Sequence, residues 1–248
     1  MTTKLEPLPP TKYALALHTT TPELGLVISN FAEDTRTHVW NLGRDLSSHI
    51  HQYLIDLIQP QTWTDLAFIA VAKGPGGFTG TRIGVVTART LGQQLEIPVF
   101  AISTLAAVAW QIPPTPLEKG GYISTDKGVD VPIYEGVDVP PLLRGVRGDQ
   151  IIAVEMQAQR GQVFGAIYQI AADNSGIIAL LPDTVFTPEK WQETLANWHT
   201  EYQLIKATSG LAATVSSILE LAYLEWQQNK RPHWSEALPY YGQHPVDL

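Results

Sequence analysis

The residues 70–84, AVAKGPGGFTGTRIG, hold the clearest arrangement that could do chemistry. Gly74, Gly76, Gly77 and Gly80 permit positive φ or close approach of another group to the backbone, and Pro75 stiffens the turn between them. A loop of this kind at the start of a helix offers free main-chain amides to an anion. The candidate contacts for an anion or a nucleotide are therefore Gly74, Gly76, Gly77, Thr79 and Gly80. Two phosphate-binding fingerprints do not fit: no Lys follows a correctly spaced glycine, and Thr79 stands where the third glycine of G-x-G-x-x-G belongs. A tight turn joining strand to helix accounts for the same residues. Arg82, in the first turn after the loop, could hold an anion or a partner's carboxylate by a bidentate contact, or be a solvated helix-face arginine.

Metal and nucleophile chemistry has less to stand on. There is no cysteine, so disulfides, thiolate nucleophiles and zinc–thiolate sites are excluded. His49 and His51 are two apart, which on a helix places them about 200° apart and prevents chelation from one face. No H-E-x-x-H occurs, and His38, His199, His233 and His244 are isolated. Trp40, Trp63, Trp110 and Trp226 read most simply as core or interface residues, because a base-stacking platform needs basic neighbours.

The formal charge is −8, from 24 acidic and 16 basic residues, which argues against a broad electrostatic grip on nucleic acid. The 248 residues suffice to bury roughly 70–75% of the unfolded surface, in one large domain or two lobes. A mean hydropathy of −0.02, the lack of a long apolar run and an N-terminus without a signal-peptide core lead to the expectation of a cytoplasmic protein without membrane anchorage.

The elements that must position the loop follow from periodicity. Alternation predicts strands over 13–18 and 24–29, with a third over 35–42. Leu46, Ile50, Tyr53, Leu54 and Leu57 predict a helix over 46–58, capped by Asp45 or Ser47 and ended before Pro60. A buried strand is predicted over 66–72, a helix over 80–95, a strand after Pro98, and a helix from Ser103 that stops before Pro113. Within the second helix Gly84, Ala88 and Gly92 make a smooth strip beside Leu91 and Leu95, along which another helix could approach closely.

Residues 113–149 are rich in Pro, Gly and Asp and contain GVDVP twice. They read as an inserted hairpin or linker between two lobes, 1–112 and 150–248. Beyond them the pattern predicts strands over 151–155, 163–170, 177–181 and 202–207, and helices over 188–198 and 211–228. Alternating β and α elements define an α/β fold.

Read with its flanks, IAVAKGPGGFTGTRIGVVTARTLGQQLEIPVFAISTLAAVA resembles the bacterial TsaB (YeaZ) family, whose members carry a GPGSFTG-R-G loop, an IPV strand and an STL helix start. ALALHTTTPELGLVI resembles the family's opening hairpin, and AVEMQAQRGQVFGAIY its DARRGEVY segment. The resemblance implies the actin-like ATPase (ASKHA) fold, two RNase H-like lobes with mixed sheets and flanking helices. It implies a role as the non-catalytic partner of a TsaD-like catalytic subunit, with a TsaE-like ATPase, in making threonylcarbamoyladenosine beside the tRNA anticodon. No cofactor is implied within the chain, and ATP or ADP at the subunit junction is.

Two departures from the family pattern bear on chemistry. Actin-like phosphotransferases place a carboxylate at the end of the first strand to organise Mg²⁺; here that position is His18, where the family usually reads ALDTST. In the second half Gln157 replaces the expected Asp. The contact surface expected from the family's helical interface comprises His49, Tyr53, Arg82, Gly84, Ala88, Leu91, Gly92 and Leu95, for a partner or a homodimer. The rival readings are an ATP-dependent phosphotransferase or ATPase, with Glu155 and Asp173 as the nearest acids, and a metallopeptidase.

Overall fold

The computed structural model describes residues 8–111, 150–171 and 175–242. The insertion expected over 113–149, Asp173 and His244 lie outside them. The first sheet contains β1 (Tyr13–His18), β2 (Glu23–Ser29), β3 (Thr35–Asn41), β4 (Leu66–Ala72) and β5 (Val99–Ile102), in the order β3-β2-β1-β4-β5. β1 pairs antiparallel with β2 and parallel with β4. The second sheet contains β6 (Ile151–Gln157), β7 (Val163–Ile170), β8 (Ile177–Phe186) and β9 (Gln203–Ala207), in the order β8-β7-β6-β9. Again the meander is antiparallel and the strand after the helix is parallel to the first. The two halves thus repeat one strand plan.

The helices are α1 (Leu46–Ile58), α2 (Phe78–Leu95), α3 (Thr104–Gln111), α4 (Pro188–Ala196) and α5 (Val215–Gln227). α1 and α2 cover one face of the first sheet, burying Leu15, Leu17, Leu26, Ile28, Ile69 and Val71. The opposite face, with Ala14, Ala16, Phe68 and Ala70, shares one core with α3, α5 and the inner face of the second sheet. α4 closes the outer face of that sheet through Trp191 and Leu195 against Ala153 and Ile167. β1 is buried along its whole length because helices lie on both sides of it. The central helices are exchanged: α5, from the C-terminal half, packs on β1, β4 and β2, while α3 packs on β6, β7 and β8.

Most boundaries follow the periodicity, and the differences have physical causes. β8 continues to Phe186, past Leu181, because Pro182 lies on an edge strand that pairs only with β7 and needs no donor on its outer side. Residues Leu211–Thr214 form a 3-10 turn leading into α5 and are not α-helical. Asp45 occupies the cap position of α1 without a side-chain bond, and the 3-10 turn Gly43–Asp45 leads the chain in. Thr187 caps α4 through Lys190 N–H, with Pro188 in the first turn.

The smooth strip of α2 is not an outer surface. A Cβ on Gly84 would lie 2.1 Å from Thr19 Oγ1, and one on Gly92 would lie 2.3 Å from Val99 Cγ2. Ala88 is fully buried in the core beneath the helix. Gly84, Ala88 and Gly92 therefore seat α2 on its own sheet, and they are not the partner contacts that their spacing suggests. Ala88→Asp would bury an unpaired carboxylate and destabilise the monomer by several kcal/mol. Urea unfolding of the isolated chain checks this, and stability equal to wild type would contradict the packing described.

Candidate functional site

A cleft of about 940 Å³ opens between the lobes. The first lobe supplies Thr19 to Pro22 at the end of β1, Gly43 and Arg44 before α1, Leu46 and Ser47 at its start, and the glycine loop. The second lobe supplies Met156 to Gln159, Phe164, Thr208 and Leu211, and Tyr241 lies at the seam. Of the predicted anion contacts, Gly76, Gly77, Thr79 and Gly80 line this cleft. Gly74 does not: its Cβ position is 2.3 Å from Tyr240 O, its φ is +103°, and its carbonyl accepts from Thr104 N–H at 2.9 Å. It holds the loop in place from behind.

The glycines are needed because two stretches of main chain meet. Gly77 N–H donates to Thr20 O at 2.7 Å. Cβ atoms at Gly76 and Gly80 would lie 2.4 Å from Thr20 O and 2.1 Å from Thr19 O. Thr19 Oγ1 donates to Gly80 O at 2.8 Å, and Thr20 Oγ1 lies 3.2 Å from Thr104 Oγ1. The close-approach reading of this loop is thus realised within the chain. What the cleft receives is the first turn of α2, where the amides of Phe78, Thr79 and Gly80 have no intrahelical acceptor.

His18 sits at the end of β1, fully buried, and neither ring nitrogen has a hydrogen-bond partner among the described residues. Burial lowers its pKa from the ordinary 6.5 to about 3, so the imidazole is neutral. Gln157 is exposed at the cleft and presents an amide. Among the described residues the one charged side chain lining the cleft is Arg44. A divalent cation prefers carboxylate oxygens, and these residues do not fit a Mg²⁺-organised nucleotide. Glu155 is committed elsewhere: its carboxylate accepts from Trp191 Nε1 at 2.7 Å and lies 3.4 Å from Lys206 Nζ.

The remaining candidates scatter. His49 and His51 are both exposed, and His49 Nδ1 lies 3.0 Å from Asp45 O. Tyr53 stacks on Trp40, with centroids 4.3 Å apart. Arg82 is exposed, its guanidinium 5.4 Å from the Phe78 ring centre. Leu91 and Leu95 are half-buried against the outer core. Among the described residues no group of three or more His, Asp or Glu is placed to hold a metal, and no helix is long and apolar enough to cross a membrane. Sequence periodicity missed Val86 and Ile55, apolar residues of α2 and α1 that are 58% and 44% exposed. An apolar residue on the polar side of each helix was the available signal.

Two mixed sheets with one strand plan, an exchanged central helix pair and a cleft walled by a glycine loop define a two-lobed α/β protein. Residues 45–118 match the family TsaD: tRNA N6-adenosine threonylcarbamoyltransferase. The chain is 31% identical over 147 residues to the tRNA threonylcarbamoyladenosine biosynthesis protein TsaB of Bacillus subtilis, covering 59% of this chain and 48% of that protein. It is 31% identical over 96 residues to the protein of the same name from Escherichia coli, covering 34% and 42%. The aligned stretches thus span less than half the length of these relatives. The fold matches the crystal structure of an uncharacterized Pseudomonas aeruginosa protein with similarity to peptidase YEAZ, with TM-score 0.66, 18% identity and coverage of 94% and 100%. It also matches YeaZ from P. aeruginosa, with TM-score 0.64, 19% identity and coverage of 93% and 99%. The chain is thus similar in part of its sequence to TsaB proteins and shares the fold of the YeaZ structures.

Two outcomes follow from this geometry. Gly80→Ala drives a methyl group against a main-chain carbonyl that cannot rotate away, so urea unfolding should show a loss of about 1–3 kcal/mol. His18 is neutral in the folded chain down to pH about 3, whereas in the unfolded chain it takes up a proton near pH 6.5. The stability it permits at neutral pH is therefore lost as pH falls, by about 2 kcal/mol between pH 7 and pH 5. His18→Leu should flatten this slope by that amount in denaturation curves at the two pH values.

Proposed function

We propose that this chain is the non-catalytic partner subunit of the complex that makes tRNA N6-threonylcarbamoyladenosine, binding and stabilising a TsaD-like catalytic subunit. The observation that carries the reading is the end of β1, where a buried, neutral, unpartnered His18 occupies the place that phosphoryl chemistry requires for a carboxylate. The relatives' names supply the process. The repeated strand plan supports the actin-like (ASKHA) assignment, with RNase H-like lobes divided near residues 112 and 150. Among the described residues a phosphotransferase reading lacks an acid: Glu155 is bound to Trp191 and Lys206. Gly76, Gly77, Thr79 and Gly80 are assigned to contact with an anionic group at the cleft, without a divalent cation.

The partner surface is the outer side of α1 and α2, where His49, Arg82, Ile55 and Val86 are exposed and Tyr53, Leu91 and Leu95 form the half-buried margin. In the absence of the partner the same surface pairs two copies of the chain. A TsaE-like ATPase and tRNA join through the catalytic subunit, because the cleft and the net charge of −8 offer little grip on phosphate backbone.

Size-exclusion chromatography with light scattering, on the chain alone and mixed with the TsaD-like protein of the same organism, tests this with and without ATP and Mg²⁺. A heterodimer that replaces a homodimer is expected. Val86→Glu should prevent it while leaving the far-ultraviolet circular dichroism of the chain unchanged, since that side chain is 58% exposed in the monomer. No association, together with ATP turnover by the chain alone, would establish an enzyme instead.

A further inference from the structure

After α5 the chain continues through residues 232–242. It returns across the first lobe and reaches the second, and three glycines mark where it fits tightly. Trp234 Cβ lies 3.1 Å from the Cβ position of Gly92 on α2, and Ala237 is buried in the outer core of the first lobe. Tyr240 O lies 2.3 Å from the Cβ position of Gly74, in the glycine loop. A Cβ on Gly242 would meet Phe164 of β7 at 2.8 Å and Val185 of β8 at 2.9 Å.

One residue of this segment joins the two sheets directly. Tyr240 N–H donates to Lys73 O, just beyond β4, at 2.7 Å, and Tyr240 Oη donates to Asp183 O, on β8, at 2.6 Å. Asp183 itself belongs to a buried network: its carboxylate accepts from Tyr168 Oη, which lies 3.1 Å from Ser103 Oγ, and Ser103 Oγ accepts from Ala106 N–H at the start of α3. The next residue, Tyr241, packs its ring 4.5 Å from that of Phe78, the first residue of α2, and lines the cleft.

We propose that residues 232–242 are a strap that fixes the opening between the lobes and closes one end of the cleft, with Tyr240 as the rivet. The shared core couples the lobes through α3 and α5, whereas the cleft side lies open, and a terminal segment is ordered only where it is tied down. Here the ties reach α2, the glycine loop and β8 in turn. When Tyr240 lets go, the lobes lose their direct bond on the cleft side and Tyr241 no longer walls the cleft.

Because the chain has no cysteine, Glu33→Cys between β2 and β3 and Ser209→Cys after β9, both exposed, take spin labels on opposite lobes, and dilution with unlabelled chain confines the reading to distances within one chain. Pulsed electron paramagnetic resonance on the otherwise complete chain should give a single narrow distance. The same labels in Tyr240→Phe and in a chain ending at Pro239 should give a broader distribution shifted to longer distance. Leu238→Ala, at a strap position 60% exposed, should leave the distance as it is. Far-ultraviolet circular dichroism checks that each variant is folded. If the shortened chain fails to fold, Tyr240→Phe and Tyr241→Ala decide the matter. Unchanged distributions in the folded variants would overturn the proposal.

Discussion

The geometry of the cleft depends on how closely a helix can approach the end of a strand. Thr19 and Thr20 leave β1 with their carbonyls directed at α2 and the loop before it, and only residues without a Cβ can meet them. Gly76, Gly80 and Gly84 recur every four residues, so they form one edge of the loop and helix and all meet the same two threonines. That contact sets the height of the first turn of α2 above the sheet. It also decides that Thr79 and Gly80 border the cleft instead of standing off from it. The same four-residue spacing continues through Ala88 and Gly92, carrying the helix along the sheet.

A second constraint comes from the exchange of central helices. α5 covers the sheet of the first lobe although it belongs to the second half of the chain, and α3 does the reverse. Neither sheet can bury its inner face without the other half. Hydrophobic burial therefore couples the lobes, and polar contacts add direction: Ser103, Tyr168 and Asp183 bond across the junction of α3, β7 and β8. Burial raises the pKa of Asp183 and pushes that of Tyr168 well above its usual value, which keeps the phenol protonated as the donor.

His18 shows what full burial at a strand end demands of a titratable side chain. A carboxylate there would need a cation or donors to offset its desolvation. A neutral imidazole carries no such charge, although its two unpartnered nitrogens still oppose burial. The site therefore tolerates acid poorly and, among the described residues, offers no carboxylate to a hard cation. The charge that does reach the cleft, from Arg44 and the amides of α2, is positive in sign.

Much of the fold is legible in the residues alone. α1, β4 and β7 fall on the predicted bounds because apolar period, flanking Pro and glycine punctuation all agree there. The identity of residues 18 and 157, the want of cysteine and the glycine spacing are likewise properties of the chain's covalent order. What periodicity does not tell is which side of a small-residue strip is covered. Gly84, Ala88 and Gly92 look alike whether they receive a partner's helix or their own sheet, and only the path of β1 and β5 assigns them inward. The strap is equally silent in the sequence, since Tyr240 and Tyr241 show no period and derive their meaning from Lys73, Phe78 and Asp183, far away in the chain. Local sequence determines elements because propensity and hydrophobic period act over a few residues. Contacts between distant segments are settled only when the whole chain packs.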